Sequence, residues 1–192
     1  MKKILIGTHN NGKFREISFL LKKKIKKISP NSLKIKSPKE TGKTFLANAE
    51  LKAKYFSKYV NFPVISDDSG LCIKALNGNP GIYSARLAKK HGSFFKAMQK
   101  ILKKMKNKKN RSAIFVCSLS YISYKKKSYS VVGKIKGTIS KKIKGKRGFG
   151  YDPIFIPNKF SVTFGQMLKS KKIMIDHRYI AFKKLKKKIK TL

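Results

Sequence analysis

A short apolar segment, Ile4–Ile6, runs directly into a turn rich in Gly and Asn, and a segment with apolar residues at a period of 3.6 follows it. An apolar run of this length predicts a buried strand, and the period predicts an amphipathic helix. Strand and helix patterns alternate along the first half of the chain, and two longer strand patterns follow. We therefore predict an α/β fold with a mixed sheet, formed by one domain of 192 residues.

The patterns place the elements as follows. The predicted strands are Lys2–Thr8, Leu33–Lys36, Pro63–Ser66, Leu71–Ala75, Arg111–Ser123, Ser128–Gly137 and Pro153–Ile156. The third strand is expected to end at Asp67, with the fourth as its continuation or hairpin partner. The predicted helices are Phe14–Ile25, Thr44–Tyr59, Ser93–Met105 and Met174–Ile189, and Thr44 and Ser93 are predicted N-caps.

The charge is strongly one-sided, with 49 Lys and Arg against 7 Asp and Glu and a formal net charge of +42. Such a balance favours polyanions, because lysines neutralise phosphates whatever the base sequence. Only five of the basic residues are Arg, however, and reading of base edges favours Arg. The lysines are spread along the chain together with abundant Ile and Asn, which is typical of an AT-biased genome. We interpret the charge as a solvated surface and expect no nucleic-acid partner.

Neither a membrane span nor a disulfide framework is expected. No apolar run approaches the roughly 20 residues of a membrane helix, and the apolar stretch near the start is too short for a signal peptide. Cys72 and Cys117 are far apart and belong to no CxxC pair. These observations favour a reduced, cytoplasmic setting.

The turn after the first strand has the composition of an anion site. Backbone N–H groups at a helix N-terminus, together with Lys13, suit a phosphate. The spacing from Gly7 to Lys13 also fits a P-loop, but Phe14 stands where the Mg²⁺-binding Ser or Thr should be. An ordinary strand–turn–helix joint, with Asn10 as the cap, remains an alternative, as does a P-loop phosphotransferase.

Two adjacent carboxylates, Asp67 and Asp68, follow an apolar strand in this basic chain. Placing two negative charges side by side costs free energy unless a cation compensates. Carboxylates at a strand end suit Mg²⁺, which binds one or two of them together with substrate phosphates. Glu40 is a third acid before a predicted helix. A turn with an Asx cap is the structural alternative.

Two further groups have features suited to a purine base. The segment Gly148–Pro153 combines glycines, an acid, Phe149 and Tyr151, and aromatic rings stack on bases. His177 and Arg178 stand together near the start of the last predicted helix, and both donate hydrogen bonds to oxo groups. The alternatives are a tight turn with core aromatics and a surface pair at a helix start.

Seven motifs, in order along the chain, carry a family resemblance. They are Thr8–Lys13 with Glu16, Glu40–Phe45, Asn48-Ala49 with Lys52-Ala53, Asp67–Leu71, Gly78–Arg86, Gly148–Pro153 and His177-Arg178. The chain closely resembles the inosine/xanthosine triphosphate pyrophosphatases, the Ham1-like family. The resemblance implies an elongated mixed sheet flanked by helices, with two lobes around a central substrate cleft. It also implies a homodimer and Mg²⁺-dependent hydrolysis of ITP, dITP and XTP to the monophosphate and pyrophosphate.

The resemblance also implies roles for individual residues. Asp68 would be the catalytic base, and Glu40 and Asp68 would bind the metal with Asp67 in support. The substrate-binding residues would be Thr8, His9, Asn10, Asn11, Gly12, Lys13, Ser69, Phe149, Gly150, Tyr151, Asp152, Lys172, His177 and Arg178. Two alternatives to an enzyme are a basic nucleic-acid-binding module and a nucleotide sensor without turnover.

Overall fold

The computed structural model describes residues 2–189 and residue 192. In that part of the chain, six strands and six α-helices confirm the predicted α/β class. The strands are β1 (Lys3–Ile6), β2 (Lys26–Ile28), β3 (Val64–Ile73), β4 (Ser112–Ile122), β5 (Ser128–Ile139) and β6 (Phe155–Pro157). The helices are α1 (Asn11–Leu20), α2 (Phe45–Phe56), α3 (Ser84–Lys90), α4 (Phe94–Lys104), α5 (Lys169–Ile173) and α6 (His177–Lys188).

The sheet is mixed, as predicted, and its strand order is β2-β1-β3-β4-β5-β6. Strand β1 pairs in parallel with β2 on one side and with β3 on the other. Strands β5 and β6 pair antiparallel. The parallel pairs come from the early part of the chain, where helices α1 and α2 separate successive strands.

Three helices begin at side-chain caps that the sequence already indicates. Asn10 accepts a hydrogen bond from the N–H of Lys13 at the start of α1. Thr44 caps α2 in the same way, and Ser93 caps α4. Each cap satisfies one of the backbone donors that a helix N-terminus leaves without an intrahelical partner.

Contacts divide the chain into two compact units, in agreement with the two predicted lobes. Unit 1 comprises the described residues of Met1–Asp68, Cys117–Gly133 and Arg178–Leu192, and unit 2 comprises Ser69–Val116 and Lys134–His177. Strands β3, β4 and β5 each contribute residues to both units.

The core of unit 1 follows from the alternation of side chains along β1. Ile4 and Ile6 pack in one cluster with Ile17 of α1 and Leu185 of α6. Leu5 belongs to a second cluster, with Phe56 of α2 and Val64. Because successive strand residues point to opposite faces, α1 and α6 cover one face of β1 and α2 covers the other.

In unit 2, a single cluster of buried residues forms the core. Helix α4 contributes Met98 and Ile101, and the strands contribute Leu71, Phe115 and Phe155 among others. Phe115 and Phe155 have ring centroids 4.6 Å apart and an interplanar angle of 60°. None of the helices among the described residues is long and apolar enough to cross a membrane.

The expectation that the third strand ends at Asp67 is wrong, and of the two alternatives for Leu71–Ala75, continuation of the third strand is confirmed and a hairpin partner is not. Strand β3 continues through both acids to Ile73, so one strand replaces the predicted pair Pro63–Ser66 and Leu71–Ala75. The turn-forming composition of the segment is overridden because polar and charged partners, described below, stabilise the buried carboxylates within the strand.

Other predicted boundaries are also wrong. The predicted strand Leu33–Lys36 is absent; β2 lies earlier, where it pairs in parallel with β1, and residues Asn31–Leu33 form a 3-10 helix. Helix α1 ends at Leu20, five residues before the predicted end. The predicted helix Met174–Ile189 begins at His177, and the separate helix α5 precedes it.

Candidate active site

Asp67 and Asp68 occupy the middle of β3 and are both buried, with 0% and 4% of their surface exposed. Because successive side chains of a strand point to opposite faces, the two carboxylates have different surroundings. Asp67 shares a face with Ile65, which packs with α1 and α6, and Asp68 shares a face with Val64, which packs with α2. Adjacent acids are thereby held apart.

Asp67 is paired with two cations. Its Oδ2 lies 3.1 Å from Lys13 Nζ and 3.5 Å from Arg178 Nη2. Burial on its own raises the pKa of this carboxyl, but the charges of Lys13, Arg178 and Lys52 together outweigh burial and lower the pKa to about 2. Asp67 is therefore a carboxylate at neutral pH, and it neutralises part of the local positive charge.

Arg178 connects Asp67 to helix α1. Its guanidinium is 1% exposed, and its Nη1 donates to the carboxylate of Glu16, which is also buried. Buried charges are tolerated when they are paired and hydrogen-bonded, as they are here. The network joins the starts of α1 and α6 to the centre of β3 within unit 1.

Asp68 contacts two residues of helix α2. Asn48 Nδ2 donates to its Oδ2 at 3.1 Å, and Lys52 Nζ lies 3.8 Å from its Oδ1. Burial raises the pKa of Asp68, and although nearby lysines oppose this, the net pKa lies above the ordinary value. A carboxylate with a raised pKa is a stronger proton acceptor than an ordinary aspartate.

Lys52 lies between two carboxylates. Its Nζ is 2.6 Å from Glu40 Oε1 and 3.8 Å from Asp68 Oδ1. Burial lowers the pKa of this ammonium, but the charges of Asp67, Asp68 and Glu40 together raise it above the ordinary value, so Lys52 is charged. Glu40 and Asp68 thus converge on one cation.

The donor chemistry of this pair fits Mg²⁺. Among residues 2–189 and 192, no three His, Cys, Asp or Glu side chains are grouped closely enough to hold a metal ion by themselves. Mg²⁺ commonly binds one or two carboxylates and takes its remaining oxygens from water and substrate phosphates. Glu40 and Asp68 supply the two carboxylates that such an arrangement needs.

The predicted phosphate loop lies between β1 and α1. The Thr8 hydroxyl accepts a hydrogen bond from the N–H of Asn10 at 3.2 Å, and Asn10 caps the helix that Asn11 and Gly12 begin. His9 is exposed, and its Nε2 lies 3.0 Å from the carbonyl oxygen of Ile35. The N-terminal N–H groups of a helix favour an anion at this position.

Unit 2 brings together Phe149, Asp152 and Lys172 from the predicted purine-binding set. Asp152 Oδ2 accepts a hydrogen bond from the Phe149 N–H at 2.9 Å, and Lys172 Nζ lies 2.9 Å from the same oxygen. The Lys172 ammonium also lies 4.9 Å from the centroid of the Phe149 ring. Gly148 has a φ of +76°, and a Cβ there would lie 2.1 Å from Asp152 Oδ2, so the turn requires glycine.

The other predicted residues of unit 2 differ in environment. His177 is buried and stacks on Phe115, with ring centroids 4.7 Å apart and an interplanar angle of 8°. Tyr151 is buried in the core, where its hydroxyl donates to the Ser84 carbonyl at 2.8 Å and burial raises its pKa. Ser69 and Gly150 are half-buried.

Three buried polar residues that contact the site acids or Arg178 belong to the quoted motifs but had no individual role in the sequence predictions: Glu16, Asn48 and Lys52. All three lie on the core-facing side of a helix whose other buried positions are apolar or small. A polar residue at such a position needs a buried partner. This signal was available in the helical pattern, although it does not identify the partner.

Comparisons with known proteins agree with the fold. A model of the Ham1 family matches residues 4–188. A protein of Oceanobacillus iheyensis named dITP/XTP pyrophosphatase is 43% identical over the full length of both chains.

Two solved structures are similar throughout. The Ham1 protein of Staphylococcus aureus superposes with a TM-score of 0.87 at 37% identity, covering 98% of each chain. A HAM1 protein of Coxiella burnetii has a TM-score of 0.88 at 32% identity, covering 100% of each chain.

Proposed function

The chain belongs to the Ham1 family, and from that premise we propose that it hydrolyses the non-canonical purine nucleoside triphosphates ITP, dITP and XTP to the monophosphate and pyrophosphate. The relatives named dITP/XTP pyrophosphatase support this substrate class. The observation that carries the proposal is the convergence of Glu40 and Asp68 on one buried cation, Lys52.

In this proposal, Glu40 and Asp68 hold Mg²⁺. Asp67 contributes indirectly, because its carboxylate is paired with Lys13 and Arg178. When bound, the metal stabilises negative charge on the phosphate oxygens as a Lewis acid. The loop Thr8–Lys13 binds the triphosphate through the N-terminal N–H groups of α1 and the ammonium of Lys13.

Asp68 is the proposed general base. It accepts a proton from the water that attacks the α-phosphorus, and the new P–O bond forms as the α–β anhydride bond breaks and pyrophosphate leaves. Asn48 donates to one oxygen of Asp68 and Lys52 lies 3.8 Å from the other, so the carboxylate is positioned to act as a base. Positioning of the water and stabilisation of charge supply most of the rate enhancement.

The proposed purine contacts in unit 2 are Ser69, the segment Phe149–Asp152, Lys172 and His177. Arg178, which the resemblance adds to this set, lies in unit 1, where it donates to Glu16 and its Nη2 lies 3.5 Å from Asp67 Oδ2. Hydrogen-bond donors among these residues favour the 6-oxo group of hypoxanthine and xanthine, which accepts hydrogen bonds, over the 6-amino group of adenine, which donates them. Each donor that faces another donor costs about 1–3 kcal/mol when buried, so two mismatches give a strong preference.

A product assay tests this proposal. The protein is incubated separately with ITP, dITP, XTP, GTP and ATP, with and without Mg²⁺, and pyrophosphate and orthophosphate are measured. We expect pyrophosphate from ITP, dITP and XTP, little turnover of ATP, and loss of activity when EDTA removes the metal. Release of orthophosphate and a nucleoside diphosphate would contradict the proposal and indicate a phosphotransferase or phosphatase instead.

A further inference from the structure

Asn48 has a side chain that bridges two parts of the proposed metal site. It is 0% exposed, its Nδ2 donates to Asp68 Oδ2 at 3.1 Å, and its Oδ1 accepts from the Gly42 N–H at 2.8 Å. We infer that Asn48 is a positioning residue, which fixes Asp68 and the loop that carries Glu40 at the separation that a shared divalent cation requires. The inference deepens the proposed function and rests on it.

The chemistry of the bridge requires an amide. One end of the Asn48 side chain must accept a hydrogen bond from a backbone N–H, and the other end must donate one to a carboxylate. An aspartate of the same shape has acceptors at both ends, and a leucine of similar volume has neither group. Asparagine satisfies both partners within a buried position, where an unmade hydrogen bond is costly.

The loop end of the bridge depends on Gly42. A Cβ at this position would lie 2.6 Å from Asn48 Oδ1 and 2.9 Å from the Asn48 backbone nitrogen. Glycine therefore allows the loop backbone to approach the helix closely enough to bond to the amide. Because Gly42 is two residues after Glu40, this contact fixes the backbone that presents the Glu40 carboxylate.

Helix geometry explains why α2 serves as the frame. Asn48 and Lys52 are four residues apart and therefore lie on the same face of the helix. Asn48 holds one oxygen of Asp68, and the Lys52 ammonium lies near the other oxygen and near Glu40. One rigid element thus sets the orientation of Asp68 and the distance between the two carboxylates.

This frame matters because Mg²⁺ has strict geometric demands. Mg²⁺ requires near-ideal octahedral geometry at about 2.0–2.1 Å from its oxygens, so a rotated carboxylate binds it less well. Partners that orient metal ligands typically contribute about 10–100-fold to metal affinity or activity. A displacement of about 1 Å at a catalytic group has a cost of similar size.

The experiment compares Asn48→Ala, Gly42→Ala and the parent. Asn110→Ala is the matched control, because Asn110 is exposed and its Oδ1 accepts a backbone N–H of Ser112 at 3.0 Å. Mn²⁺ binding is measured without substrate by electron paramagnetic resonance, kcat and KM are measured with ITP, and thermal unfolding reports folding. We expect both site variants to bind Mn²⁺ about 10–100-fold more weakly and to lose kcat by a similar factor, with KM changed less than about threefold.

Distinct outcomes separate the possible failures. If both folded variants bind Mn²⁺ and turn over ITP like the parent, Asn48 is only structural and the inference is overturned, even when the melting temperature falls. If Asn48→Ala does not fold, Gly42→Ala tests the same bridge from the loop end. If the parent does not hydrolyse ITP, the proposed function fails, while Mn²⁺ binding still decides the role of Asn48.

Discussion

At the scale of single residues, Asp67 and Asp68 show how position within a strand gives two neighbouring carboxylates different properties. The pKa of Asp67 is lowered because Lys13, Arg178 and Lys52 outweigh its burial. The pKa of Asp68 is raised because burial outweighs the lysines near it. One acid is thereby suited to hold cations in place, and the other is suited to accept a proton.

The lowered pKa of Asp67 predicts a pH-dependent contribution to stability. The unfolded chain has an ordinary value of 3.8 and the folded chain a value of about 2. A lowered folded-state pKa stabilises the protein above the unfolded value, and this contribution is lost as the pH falls through the folded value. The difference corresponds to about 2 kcal/mol at neutral pH, with about half remaining at pH 3.

The pH-dependent stabilisation by Asp67 is checked by measuring the free energy of unfolding of the parent and of Asp67→Asn with a chemical denaturant. The stability difference between them is expected to shrink by about 1 kcal/mol between pH 6 and pH 3. Glu50→Gln, a carboxylate-to-amide change at an exposed residue of α2, is the control and should show no such trend. A difference that stays constant with pH would show that Asp67 is not held ionised by its partners.

Lys52 leads to a prediction about metal and stability. Replacing it by methionine in Lys52→Met removes the ammonium between Glu40 and Asp68 and leaves two carboxylates that repel each other. We expect a divalent cation to replace the lost charge. Mg²⁺ is therefore expected to raise the melting temperature of this variant more than that of the parent.

The control for Lys52→Met is Lys54→Met, which removes an exposed lysine from the same helix. Its melting temperature should respond to Mg²⁺ as the parent does. Equal Mg²⁺ responses in all three proteins, measured by thermal unfolding with and without EDTA, would mean that Glu40 and Asp68 do not share a cation.

At the scale of elements, Arg111 connects three segments of unit 2. Its Nε donates to the Ile139 carbonyl, its Nη1 to Met105 and its Nη2 to Ser140, at 2.7, 2.9 and 2.8 Å. The guanidinium thus joins the start of β4 to the end of β5 and to the residue after α4. A lysine has a single ammonium and cannot reproduce this fork.

We predict that Arg111→Lys lowers the free energy of unfolding by about 2–3 kcal/mol, because hydrogen bonds from a charged group contribute about 1.5–3 kcal/mol each and lysine retains some of them. The comparison variant is Arg147→Lys, where an exposed guanidinium makes one bond to the Gln166 carbonyl. Chemical denaturation of both variants is the measurement. Equal losses in the two variants would contradict the account of Arg111.

The sequence predicts helices α2 and α4 well because cap and period agree there, with Thr44 and Ser93 at the caps. It leaves the continuity of strand β3 open, because the segment Asp67–Gly70 has the composition of a turn. Only residues distant in sequence, such as Lys13 and Asn48, stabilise the acids inside a strand. The strand propensity of the segment itself does not reflect these contacts with residues distant in sequence.

The candidate site is only partly predictable for the same reason. Motifs identify Lys13, Glu40 and Asp68, whose residue types suit phosphate and metal. They do not identify the pairing of Glu40 and Asp68 through Lys52, because that pairing depends on the face that α2 presents to β3. The start of α6 at His177 is also difficult to predict, because no Gly or Pro separates it from the preceding residues. The one local signal is Asp176, since Asp is a favoured residue directly before a helix.

At the scale of the whole molecule, the acids and the bases are segregated. Five of the seven acidic residues are buried: Glu16, Asp67, Asp68, Asp152 and Asp176. A chain of formal net charge +42 thus has its negative charges mainly in the interior, and its surface is almost uniformly basic. Self-repulsion of this surface destabilises the folded state.

Salt should therefore stabilise this protein. Raising NaCl from about 20 mM to about 0.5 M shortens the Debye length to roughly 4 Å and screens the surface lysines from one another. If this screening raises the free energy of unfolding by about 2 kcal/mol, the melting temperature rises by roughly 4–8 °C. A neutral osmolyte at the same osmolality is the control, and a melting temperature that is unchanged or lower in salt would contradict the prediction.

The homodimer implied by the family resemblance stays a prediction.

The most direct test of the central claim is the rate of pyrophosphate release from ITP by Asp68→Asn, with Mg²⁺ present and Glu50→Gln as the exposed-carboxylate control. Removing a general base typically lowers the rate by about 10²–10⁴-fold. The account predicts a loss of at least about 100-fold in kcat for Asp68→Asn, with parent-like rates for Glu50→Gln. Pyrophosphate release at the parent rate by a folded Asp68→Asn protein would contradict it.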